Sequence, residues 1–254
     1  MLPWIAVAVF AVTTAAATWQ LWLLPTLLLK GVRLAHAPDV SDWDTEPPPQ
    51  DALAWLQERA QGLVTRGFVA GARTCVRGEI GPSVAWRAHL RHKKDRTRVA
   101  LTAWHLQTDG APRPVRQELS LQIEAARGQI LVVTTSDDVE DALWPPHLTT
   151  VVLAGETDLD RVLGALAKRL AELGPDLKRA RRHRHSGPEE GALRRTELLE
   201  HQRELRLVRL DEEAEEWRLT WTGACMNAFY RFWPLRRRAV ARQRREARRL
   251  TSDV

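Results

Sequence analysis

With 254 residues, 44% of them hydrophobic, the chain can bury one medium core or two small ones. Its only cysteines, Cys75 and Cys225, each lack a second thiol nearby, which excludes a disulfide framework and a zinc ribbon. The net charge of +6 is unevenly spread: residues 231–250 hold nine arginines against Glu246 alone, and residues 176–185 hold five basic side chains against Asp176, so the remaining body is mildly acidic.

Leu2 to Leu29 carry no charge, and Gln20 is the one strongly polar side chain among them. A run of ~20 apolar residues crosses the hydrocarbon core of a bilayer as a helix, so residues 1–30 read as a transmembrane anchor. Trp4, Trp19 and Trp22 stand near its ends, where indoles favour the headgroup boundary. Pro25 should end or kink the span. A cleaved secretory leader would want a basic start and an apolar core of ~7–15 residues; this stretch has neither, and its Ala35-His36-Ala37 triplet lies beyond Lys30 and Arg33. Lys30, Arg33 and His36 follow the span while nothing but the amino group precedes it, so the positive-inside rule puts the bulk of the chain in the cytoplasm, at the inner membrane.

Residues 31–50 read as an acidic linker stiffened by Pro47-Pro48-Pro49. An α+β domain is expected over 51–175. Leu53, Leu56, Ala60, Leu63 and Val64 share a helix face that stops at Gly67. The period then changes to two: Phe68, Ala70, Ala72, Thr74 and Val76 on one side of a strand, then Val84, Trp86, Ala88 and Leu90 alternating with Arg87, His89 and Arg91. Strands follow at 98–107, around Leu119, Leu121 and Ile123, at 129–135 and at 149–153. Their short connections imply an antiparallel meander. A helix over 157–173 closes the domain, with Thr157 and Asp160 as its capping box. Beyond the basic loop 176–188, residues 189–254 should form a small lobe: a helix to Leu205, a hairpin ending at Thr222, and an arginine-rich helix over 235–250.

This order of parts resembles a group of bacterial membrane-tethered proteins with an α+β domain and a basic C-terminal segment. The resemblance rests on the N-terminal span, a helix closing on Gly67-Phe68, the meander, a Thr-x-x-Gly hairpin end at Thr220 to Gly223 and the basic terminus. It covers most of the chain and implies no activity, since none is assigned to the group.

No catalytic motif is present: there is no Gly-x-Ser-x-Gly, P-loop or Rossmann glycine run, and neither Ser83 nor Cys75 has a base beside it in sequence. His89 and His92 fall on opposite faces of a strand, and His183 and His185 lie among arginines, so no metal or other cofactor is expected. Asp137, Asp138, Glu140 and Asp141 lack EF-hand spacing. A site assembled from His105, His147 and these acids is the one enzymatic reading, and it rests on residue types alone.

The terminal arginines carry the physical consequence. Arg236, Arg237, Arg238, Arg242, Arg244, Arg245, Arg248 and Arg249 repel one another and want a polyanion. For a tethered chain the nearest is an anionic leaflet, where each basic side chain contributes ~1 kcal/mol. Trp217, Trp221, Phe229, Tyr230, Phe232 and Trp233, just upstream, would supply interfacial aromatics. Nucleic acid is the alternative partner, through a winged-helix-like lobe made of the 157–173 and 189–205 helices and the hairpin. The glutamates of the second helix and the acidic turn at Asp211, Glu212 and Glu213 oppose it. The expectation is a non-enzymatic anchored binding or scaffold protein, with the meander domain holding a protein partner.

Overall fold

Backbone contacts divide the chain into two units, Met1–His36 with Leu199–Val240 and Ala37–Leu198 with Ala241–Val254. The structure is a computed structural model. It describes residues 2–31, 33–35, 38–79, 82–94, 97–107, 113–124, 129–136, 148–173, 188–231 and 233–252. The fold class is α+β, with two sheets whose pairings are mostly antiparallel.

The first unit begins with one apolar helix in three stretches: α1 (Leu2–Thr18), a π turn (Trp19–Leu23) and α2 (Leu24–Gly31). Pro25 does not end it. A proline ring collides with the carbonyl four residues back and offers no N–H, and widening the preceding turn so that Leu24 N–H donates to Trp19 O accommodates both defects. The Thr26 hydroxyl then donates to Trp22 O at 2.7 Å. Residues Trp4–Gly31 form a helix long and apolar enough to cross a membrane by length and composition, and none of its most apolar stretch is buried. Its last turns differ, because Pro25 and Leu28 are covered.

Residues 31–50 are not a spacer. β1 (Arg33–Ala35) pairs antiparallel with β10 (Glu216–Leu219), which pairs with β9 (Val208–Asp211). Leu28, Leu199, Val208, Trp217, Leu219, Ala224 and Ala228 form this unit's core, so the end of the apolar helix is part of the lobe it introduces. The same stretch also supplies β2 (Asp39–Asp42), which pairs with β3 (Phe68–Arg77) in the second unit. There Trp43 Nε1 donates to Thr74 O at 3.0 Å and Trp86 Nε1 to Glu46 O at 3.2 Å, while Glu46 binds Arg77. These bonds fasten the supposed linker to the sheet.

The larger sheet runs in the order β2, β3, β4 (Ser83–His92), β5 (Arg98–Leu106), β6 (Arg113–Glu124), β7 (Ile130–Thr134), β8 (Leu148–Val152). β8 departs from the expected pattern by running parallel to β7. Parallel neighbours need a connection of about a dozen residues, and the chain between 134 and 148 is long enough. α3 (Gln50–Thr65) and α4 (Leu159–Leu173) bury Ala52, Leu56, Leu63, Val162, Ala165 and Leu166 against one sheet face. A shift of register between Ala70 and Arg73 reverses the faces of β3. Phe68 and Cys75 therefore enter the helix-covered core, while Thr74 and Val76, expected on the same side as Phe68, lie on the other face. α4 is capped by Asp158, whose carboxylate accepts the Asp160 N–H at 2.9 Å, rather than by Thr157.

The C-terminal segment holds α5 (Pro188–Glu204), the β9–β10 hairpin, α6 (Trp221–Arg231) and α7 (Trp233–Thr251). The hairpin stops at Leu219. Thr220 caps α6: its hydroxyl accepts the Gly223 N–H at 3.1 Å and donates to Arg206 O at 2.6 Å.

Candidate membrane and polyanion interface

α7 is a helix of opposite faces. Val240, Gln243, Glu246, Ala247 and Leu250 recur at spacings of three and four and are half-buried or buried, whereas Arg236, Arg237, Arg238, Arg242, Arg244, Arg245, Arg248 and Arg249 are all exposed. The last turns are fixed to α4 in the second unit. Leu250 is fully buried in that unit's core with Ala247 packed beside it. Arg249 pairs with Glu172 at 2.9 Å, Arg169 with Glu246 at 3.9 Å, and Lys168 Nζ donates to Arg249 O at 2.7 Å. Arg169, which donates to Glu172 at 2.8 Å, and Arg249 hold the Glu172 carboxyl below its ordinary range. The pair with Glu172 occupies the Arg249 guanidinium. Arg242, Arg244, Arg245 and Arg248 have no acidic partner among the described residues. The helix thus presents four guanidinium groups that no described carboxylate neutralises, and such groups suit phosphate oxygens in bidentate geometry. Arg236 to Arg238 belong to the first unit, with the end of the apolar helix.

The aromatic group divides. Trp217, expected at an interface, is 1% exposed in the lobe core, opposite Leu34 of β1. Its place in a central strand turns the indole inward, so it is structural. Trp221 and Phe229 are exposed on α6, at 44% and 54%. Tyr230 lies in α6 and Trp233 opens α7, whereas Phe232 falls outside the described residues. The sequence signal that α6 is a helix was present in the Thr220-to-Gly223 spacing, but the run of aromatics masked it.

On the sheet face away from α3 and α4, Trp104 is roofed by Arg87 and Arg116, whose guanidinium carbons stand 5.5 and 5.1 Å from its ring centre. Trp104 Nε1 donates to Glu118 at 3.0 Å, and Arg87 pairs with Glu79. Long charged side chains therefore close part of this face. His89 lies on the same face, and burial followed by the Arg87 charge pulls its pKa down to about 4. His92 meets Phe68 instead, the two rings tilted with centres 4.9 Å apart.

His105 is 1% exposed, its Nε2 is 3.1 Å from Asp51 Oδ2, and its Nδ1 has no partner. Its ring meets Trp86 edge-on at 5.2 Å. His147 and the acids at 137–141 lie outside the described residues, as do His183 and His185; among the described residues buried His105 meets one carboxylate, that of the half-exposed Asp51. Among the described residues no three His, Cys, Asp or Glu side chains converge as a metal site would require. A cleft of about 110 Å3 lies between α3 and α4, lined by Trp55, Arg59, Gln117, Glu156 and Thr157 among others. It holds only a few water molecules' worth of space, and Arg59 crosses it to Thr157 O at 2.5 Å. Burial, then Glu46, pushes the Cys75 thiol up to about 12, which leaves it unreactive.

Val162, Ala165 and Leu166 of α4, one of the two helices assigned to a winged-helix-like lobe, pack in the core of the seven-stranded sheet. No protein-family model, curated protein or solved structure matches the chain.

Proposed function

We propose that the chain is a non-enzymatic, single-pass membrane protein of the bacterial inner membrane, with its bulk in the cytoplasm, acting as a binding or scaffold protein. Its C-terminal arginine helix docks on the anionic leaflet, and the seven-stranded-sheet domain, an extended meander, holds a protein partner. The observation that carries this reading is that Arg242, Arg244, Arg245 and Arg248 are exposed, without acidic partners among the described residues, on a helix pinned by Leu250. A second observation supports the anchor. Leu24, Leu28, Leu29 and Leu34 pack in or against the small-lobe core and β1 completes its sheet, so removing the apolar helix as a leader would dismantle that lobe. A soluble core helix would be covered, whereas this one is bare over its most apolar stretch.

The test uses the full chain in lipid nanodiscs, with a fluorophore on Ala241→Cys, an exposed position on the arginine side of α7, in a Cys225→Ser background. Quenching by headgroup-labelled lipid is expected in discs containing phosphatidylglycerol, lost at high salt and lost in the Arg242→Glu, Arg244→Glu, Arg245→Glu, Arg248→Glu protein. Equal quenching in zwitterionic discs, or none in either, removes the docking claim.

The same exposed arginines favour a second reading, a membrane-tethered nucleic-acid-binding module. Salt-sensitive retardation of DNA or RNA by the full chain in detergent would support it. The acidic hairpin turn and the α5 glutamates weigh against it.

A further inference from the structure

A helix that faces water carries its charged side chains outward. α6 does not. Gly223, Ala224 and Ala228 are its buried side, packed in the small-lobe core, and Asn227 donates back to Gly223 O at 3.2 Å. The outward side consists of Trp221, Thr222, Cys225, Met226 and Phe229, and no charge appears before Arg231 ends the helix. α6 packs along α2, the end of the apolar helix. The contact continues upward to the π turn, where Trp22 and Trp221 meet edge-on with ring centres 5.6 Å apart. Both indoles remain largely open, Trp22 at 64%, and Leu21, Leu23 and Leu27 beside them are exposed too. The Trp22–Trp221 contact therefore joins the exposed apolar side chains of the N-terminal helix to those of α6.

We propose that α6 is a second lipid-contacting element, lying half-immersed at the headgroup boundary beside the end of the spanning helix. The occupant of its outward face is the bilayer itself, because the exposed apolar surface is continuous with that of the helix already in it, and because tryptophans such as Trp19, Trp22 and Trp221 partition to that boundary. Arg231, at the end of α6, and Arg236 to Arg238 of the same unit then follow as headgroup ligands. The inference rests on the reading that the N-terminal helix spans a membrane and extends it to a second helix.

Cys225 is the thiol to use, since Cys75 is fully buried. The full chain in phosphatidylethanolamine/phosphatidylglycerol nanodiscs would carry a nitroxide on Cys225, and in a second protein on Phe229→Cys with Cys225→Ser. A third label on Val9→Cys, in α1, reports the span itself. Molecular oxygen, concentrated in lipid, should relax all three labels more than a water-soluble nickel chelate does. Nickel-dominated relaxation at 225 and 229 with oxygen dominating at 9 overturns the α6 proposal and leaves the span intact. Exclusion of both reagents at 225 and 229 also overturns it, showing a protein surface there instead. Nickel dominating at all three positions removes the span and the proposal together.

Discussion

Gly223 is required by a neighbour rather than by its own backbone. A Cβ placed on it would lie 1.9 Å from the Leu207 carbonyl oxygen, a backbone atom that cannot swing aside. Gly223→Ala should therefore cost about 3 kcal/mol or more, in the range of severe overpacking, and appear as a lost near-ultraviolet signal from Trp217. Thr220→Ala removes only a cap and should cost about 1 kcal/mol. The Thr-x-x-Gly spacing was visible in the sequence. Its meaning was not, because the contact that selects glycine comes from Leu207, sixteen residues earlier and across a hairpin. His89 gives a pH signature. Its folded-state pKa, near 4, lies below the unfolded value of about 6.5. Between those values the unfolded chain binds the extra proton, so stability is full above about pH 6.5 and falls as pH drops towards 4, by roughly 2–3 kcal/mol. Urea unfolding of the wild type against His89→Gln should show this slope only in the wild type. An equal slope in both would remove His89 as its source.

Elements with one clean period were legible: β4 and β6 alternate as written, and the α4 stripe of Val162 and Leu166 is buried where its 3.6 spacing puts it. The failures have local causes. One irregularity at 70–73 inverted β3, because a strand's faces alternate every residue and an unpaired residue swaps them. β2 was hidden by its length and its exposed Asp39 and Asp42, and Trp43, which ties the segment down, sends no periodic signal. The arginine helix was found, but its anchorage was not, since Leu250 and Ala247, which hold it, stand among charges. Leu250→Ala should therefore cost about 2–5 kcal/mol in urea unfolding. Arg245→Ala, on the outer side of the same helix, should stay within about 0.5 kcal/mol. A small effect at Leu250 would mean that α7 is not held by the core.

At the scale of the whole molecule, the ends of the chain are structural partners of its middle. The N-terminal 36 residues share a unit with 199–240, and the last fourteen share one with the sheet domain, so α7 links both units covalently. This explains why a reading by consecutive segments placed the boundaries elsewhere: contiguity in sequence is a poor guide when a lobe borrows its core from Leu28 and its third strand from residues 33–35. It also ties the end of the apolar helix into the small lobe, through Leu28 and β1. The most direct measurement is alkaline carbonate extraction of membranes carrying the untagged chain, followed by intact-mass spectrometry. The account predicts that the protein stays in the membrane pellet with residues 2–36 present. Release into the supernatant, or a mature chain beginning near residue 38, would contradict it.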